Sequence, residues 1–123
     1  MKQRYAGMSQ VDWPWPDELD ALIASPDNHT LLYENEFVRV LDTVIRPGET
    51  TAVHTHRWPG ALYVQSWSHF VRRDEQGHIL VDSREVESLS APPQVLWLEP
   101  LPPHTLENVG STEIRGISVE IKE

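Results

Sequence analysis

Ten prolines and six glycines punctuate 123 residues, and these breakers constrain the chain more than any other feature. Proline lacks an N–H, fixes φ, and pushes the preceding residue out of the α region. Long helices have no room between them. What remains is a series of short runs rich in β-branched and aromatic residues, the composition of strands. Leu31–Tyr33 and Phe37–Ile45 are two such runs, and Arg46-Pro47-Gly48-Glu49 is a turn between strands. Thr50–His56 forms the next strand, broken by Trp58-Pro59-Gly60. Ala61–Val71 reads as two strands joined near Ser66–Ser68, and Asp74–Gly77 as a hairpin turn before His78–Val81. Pro92 and Pro93 introduce Val95–Leu98, and Pro100–Pro103 stiffens the approach to His104. Asn108–Ser111 turns the last hairpin into Ile117–Ile121, where alternate residues are apolar. Short strands at regular spacing with turn signals between them predict a β-sandwich or barrel.

The first thirty residues differ in texture. Trp13-Pro14-Trp15-Pro16 belongs to an extended arm, whose tryptophans need a surface to cover them, either the domain itself or a partner subunit. Pro16 followed by Asp17 and Glu18 suits a helix N-terminus. Leu19, Leu22 and Ile23 share one face, so a short helix is expected from 17 to 24, ending before Pro26. The domain division is an arm with a helix at 1–30 and a β-barrel at 31–123.

Composition removes several function classes. With no cysteine, thiolate metal sites, disulfides and cysteine nucleophiles are absent. The net charge is −9 and no basic stripe exists, which argues against a nucleic-acid partner. No apolar run approaches the roughly 20 residues that span a bilayer. The N-terminus lacks the apolar core of a signal peptide, so a soluble, cytoplasmic protein with no membrane partner is expected. There is no nucleophile elbow and no glycine-rich phosphate loop.

His54 and His56 carry the chemistry. Side chains alternate across a strand, so His54-Thr55-His56 aims two imidazoles one way. A third imidazole from a distant strand would close one face of a metal ion, and neutral imidazole is the commonest such ligand. The pair also admits a plainer reading, two hydrogen-bonding histidines in a barrel without metal. His104, with three residues between it and Asn108, is either a further ligand or a turn histidine. His69 and His78 read as strand and hairpin surface residues, and His29 as loop.

Gly48, five residues, then His54-Thr55-His56 resembles the first half of the first cupin motif. His104, three residues, then Asn108 resembles the end of the second, and Pro100, Pro102 and Pro103 fall where that motif is rich in proline and glycine. Leu31 to Asn108 follows the cupin order of strands and turns. The chain is thus similar to small single-domain RmlC-like cupins. The resemblance implies an all-β, jelly-roll barrel (a double-stranded β-helix) preceded by the arm and short helix, with a metal between its sheets. It implies His54, His56 and His104 as metal ligands and a homodimer, often with N-terminal segments crossing to the neighbour. It leaves one gap: the glutamate that cupins place after the histidine pair falls on Gly60, or on Ala61 with a one-residue slip.

Three neutral ligands without a carboxylate would leave a divalent ion its full charge and favour an anion or water beside it. Iron, zinc, nickel or manganese suit such a set. Gln65, on the strand with Tyr63 and His69, is the candidate fourth ligand if Trp58–Gly60 makes a bulge. Trp58, Tyr63 and Trp97 are candidates for the pocket, and Arg39, Arg46 and Arg57 for a substrate carboxylate. No catalytic residue is identified. The function these features favour is a mononuclear, dioxygenase-like metal enzyme acting on a small organic molecule. The alternatives are a non-catalytic small-molecule-binding or sensing cupin, and a metal-dependent isomerase or lyase with Tyr63 or Glu99 as base.

Overall fold

The computed structural model describes residues 13–89 and 94–122. Among the described residues, nine strands form two antiparallel sheets that face each other. They are β1 (His29–Glu34), β2 (Val38–Ile45), β3 (His54–His56), β4 (Gly60–Ser66), β5 (Phe70–Asp74), β6 (Ile79–Asp82), β7 (Val95–Leu98), β8 (Leu101–Asn108) and β9 (Ile114–Ile121). One sheet runs β1-β2-β9-β4-β7, the other β3-β8-β5-β6. The turn at 46–49 forms as its residues dictate: Gly48 takes a φ of 83°, and the Glu49 N–H donates to the Arg46 carbonyl at 2.9 Å. The segment Thr50–Val53 is tied to β8 without a continuous ladder: the Thr51 N–H donates to the Leu106 carbonyl and the Leu106 N–H to Thr51 Oγ1, both at 3.0 Å, beside an isolated bridge from Thr50 to Glu107, so β3 is shorter than its sequence suggests. The introduction of β7 by Pro92 and Pro93 lies outside the described residues, as does the arm up to residue 12.

The N-terminal helix is interrupted. A 3₁₀ turn at Asp17–Leu19 and a single helical turn α1 at Ala21–Ala24 flank Asp20, which adopts an extended ψ of 141° and bridges to Thr55 of β3. Asp20 caps α1 by accepting from the Leu22 N–H at 3.1 Å. The break presents the Asp20 carboxylate to the barrel, and Ala21 packs fully buried against it. No helix among the described residues is long and apolar enough to cross a membrane.

The eight-residue register of β2 on β9, from Val38↔Ile121 to Ile45↔Ile114, sets which side chains face inward. On β9 the buried residues are Gly116, Ser118 and Glu120, while Val119 is 38% exposed. The apolar stripe of that strand faces out and the small and polar stripe faces in. On β4, Gly60, Leu62 and Val64 border the interior, and Tyr63 and Gln65 are exposed on the opposite face. The fully packed apolar core is correspondingly small, centred on Leu41, Ile45, Phe70 and Val71. The rest of the interior is a cavity of about 340 Å³.

Candidate metal centre

Four imidazoles meet at one end of that cavity, drawn from both sheets. The pairing of β3 with β8 puts His54 directly opposite His104, so the two point to the same side, and their rings lie 4.4 Å apart. The ring of His56, one alternation along β3, is 5.0 Å from His54 and 5.8 Å from His104. The fourth comes from the facing sheet: His29, the first residue of β1, lies 4.7 Å from His54 and 5.2 Å from His56. One ligating atom from each of His29, His54 and His56 falls within 4.8 Å of the others. That tightest triad contains His29, read as loop in the sequence, in place of His104.

The protonation of these rings follows from their partners. His29 Nδ1 lies 2.9 Å from the Ser25 carbonyl, His54 Nδ1 2.8 Å from that of Ala52, and His104 Nδ1 2.7 Å from that of Pro102. A carbonyl oxygen only accepts, so each Nδ1 carries the proton and each Nε2 keeps its lone pair. His56 Nδ1 meets Glu120 Oε2 at 3.0 Å and is held the same way. An outer hydrogen bond of this type on every ring is the arrangement by which proteins orient imidazoles toward a metal.

Electrostatics keep the lone pairs available. Burial pushes His54 down to about 2, helped by repulsion from His56, His104 and His29. Burial followed by repulsion from His56 takes His104 to about 3 and His29 to about 4. These three rings are neutral at neutral pH, the form a cation requires.

A buried charge relay stands behind His56. Arg39, 5% exposed, donates to Glu120 Oε1 through Nε at 2.9 Å and grips Asp20 with both terminal nitrogens at 2.9 Å. Glu120 thus joins the Asp20–Arg39 pair to the His56 ring, with both its oxygens engaged. Arg39 belongs to this scaffold and is committed away from any substrate. Arg46 and Arg57 pair with Glu49 and Asp17 at 3.9 and 3.8 Å.

The absence of the glutamate that the resemblance implies has a physical explanation. Gly60 pairs with Glu120 on β9, and a Cβ at position 60 would run into the Val119 carbonyl. No side chain fits there, so none can ligate. Gln65 does not replace it: the bulge in β4 lies between Val64 and Ser66 rather than at 58–60, and Gln65 stays exposed outside the cavity. Tyr63 also lies outside, its hydroxyl accepting from Gln94 at 2.8 Å. Trp58 and Trp97 do border the cavity, Trp97 from the edge strand with its indole N–H donating to Glu99 at 3.0 Å. Asn108 is 1% exposed and holds the β8–β9 turn, donating to the carbonyls of Ile45 and Thr112.

His29 and Glu120 are the site residues that sequence reasoning missed. Glu120 had a signal: it shares strand parity with Gly116 and Ser118, residues that would suit an inward face only if that face were a site. His29 had none beyond its residue type.

The fold is the cupin double-stranded β-helix. A cupin domain from Bordetella pertussis Tohama I superposes with a TM-score of 0.57 at 19% identity, over 77% of this chain and 92% of that one. An RmlC-like cupin from Methanocaldococcus jannaschii gives 0.53 at 13% identity, over 76% and 78%. A double-stranded β-helix protein from Klebsiella pneumoniae gives 0.50 at 16% identity, over 77% and 83%. No protein-family model and no curated sequence matches the chain.

Proposed function

We propose that this protein holds one divalent transition-metal ion among His29, His54, His56 and His104, and acts as an oxygenase-type enzyme on a small organic molecule in the adjoining cavity. The observation that carries the metal reading is the set of four Nδ1 atoms, each engaged by an acceptor, which leaves four Nε2 lone pairs for a cation. An all-imidazole donor set suits iron, zinc, nickel or copper better than manganese, which prefers oxygen donors. When bound, such an ion supplies Lewis acidity and, if redox-active, a route for dioxygen chemistry. The chain's own residues do the rest. Glu120 keeps the proton of His56 on Nδ1, Arg39 fixes the orientation of Glu120, and the apolar walls around Leu62, Leu96 and Leu106 exclude water from the bound molecule.

A second reading, a non-catalytic binding or sensing cupin, is favoured by the mainly apolar lining. An isomerase or lyase would rest on Glu99 as base, since it borders the cavity and Tyr63 does not. Elemental analysis of untagged protein, beside His29→Ala and His56→Ala, tests the metal reading. One equivalent of metal in the parent and a marked loss in both variants is expected; equal metal in all three refutes it. Oxygen uptake by iron-loaded protein with a panel of small acids and thiols separates enzyme from binder. No uptake with any of them leaves the binding reading.

A further inference from the structure

Among the described residues, Arg72 is the exception in an acidic protein. Arg39, Arg46, Arg57, Arg73, Arg84 and Arg115 each have an acidic partner, at 2.8 to 3.9 Å. Lys122 pairs with Glu34. Arg72 forms no ion pair or hydrogen bond with any described residue, and its Nε is buried without a partner. The Phe70 ring lies 5.8 Å from its guanidinium carbon. With 19 acidic residues in the chain, pairing this one was easy to arrange.

Its position gives the exception meaning. Arg73 turns outward to Glu107 at 2.8 Å, while Phe70 and Arg72 border the cavity. Arg72 is opposite Leu106 on β8, two residues from His104 on the same face. A cation taken from water without compensation is costly. The acids bordering the cavity do not relieve it. Glu120 is committed to Arg39 and His56, and Glu99 accepts from the Trp97 indole. A guanidinium presents a planar fork that matches a carboxylate with two parallel hydrogen bonds.

We propose that Arg72 is the anion anchor of the cavity, and that the molecule bound there is a small carboxylic acid whose apolar body lies along the walls of both sheets. This deepens the preceding reading and rests on its cavity being the ligand site, but it does not need the metal. The anionic end sits beside His104, at the imidazole end of the cavity. Leu62, Val64 and Leu96 offer the body of the molecule an apolar surface from the opposite sheet. A cavity of about 340 Å³ suits a compact acid.

Phenylacetate and hexanoate, against phenylacetamide and hexanamide, test this by calorimetric titration of metal-free and zinc-loaded protein. Charge-assisted hydrogen bonds predict that metal-free protein prefers the acids by about 10- to 100-fold. Arg72→Gln and Arg72→Met should both erase that preference while leaving amide binding within about twofold. Arg72→Met should melt at or above the parent temperature, because it removes an uncompensated cation. No preference for either acid in metal-free parent protein, or a preference that survives in Arg72→Gln, overturns the proposal. So does a lower melting temperature in both variants, which would make Arg72 a structural residue. Zinc that fails to bind while the arginine-dependent preference stands refutes the metal centre alone. Zinc that binds without such a preference refutes the anchor alone.

Discussion

Acidifying the metal-free protein from about pH 7 to about pH 5 should remove roughly 5 kcal/mol of stability, through three histidines. His29, His54 and His104 are each at most 4% exposed and titrate near 4, 2 and 3 when folded, against 6.5 unfolded. Their folded values are depressed, so the native state stays neutral across this range while the unfolded chain takes up protons. Stability is therefore highest above 6.5 and is lost as the pH falls through that value toward the folded ones. Each ring contributes about 2 kcal/mol over the two units, and three sum to about 5–6 kcal/mol. The charges facing these rings are Arg72 at His104, and Glu120 and Asp20 at His29. Asp74 and Asp82 hold their protons less firmly than usual because His78 and Arg84 donate to them, so they titrate below the window. Urea unfolding at a series of pH values reads the effect directly. A denaturant slope of about 1–3 kcal/mol per molar converts it to a midpoint drop of roughly 2–5 M, a large part of a typical domain's 5–15 kcal/mol. A midpoint that moves by less than about 0.5 M between those pH values would refute the assignment of three buried, neutral imidazoles.

Three further outcomes are expected. Gly60→Glu should not supply a carboxylate ligand: its side chain meets the β9 backbone at Val119, so a loss of about 3 kcal/mol or more is expected. An unchanged melt with tighter zinc binding would contradict this. Glu120→Gln should weaken zinc binding about 10- to 100-fold by freeing His56. It should also lower stability by about 3 kcal/mol, since Arg39 keeps Asp20 but loses one charge partner. Competition against a chelator and chemical denaturation measure the two effects separately, and retention of full zinc affinity would exclude the orienting role. Tyr63, Val95 and Val119 share the outer face of the five-stranded sheet, at 44%, 56% and 38% exposure. A homodimer burying this face is expected, and a monomer by sedimentation at high concentration would count against it.

The strands were legible because proline, glycine and β-branched runs act locally. The turns at 46–49, 74–77 and 108–111 are set by their own residues, and the structure places each between the strands expected. His54, His56 and His104 were legible through strand parity and a spacing that resembles the cupin motifs. His29 was not, because its role depends on a contact between the start of β1 and the opposite sheet, which no local pattern encodes. The helix at 17–24 failed at one residue: Asp20 gives up helical geometry for the bridge to Thr55 and the bidentate grip on Arg39. The facing of β9 also defies a simple amphipathic reading, because the cavity face takes Ser118 and Glu120 and leaves Val119 outside.

The boundary drawn at residue 30 cuts through the centre it was meant to enclose. Asp20 anchors the relay that ends on His56, and the Ser25 carbonyl steers the His29 ring. Grafting the strands alone onto another protein would transplant a vessel without its clasp: one imidazole would swing untethered, and Arg39 would be left with Glu120 alone. The short preface before the barrel is part of the instrument, so swapping that preface between related barrels is a route to re-aiming the imidazoles without touching a single strand.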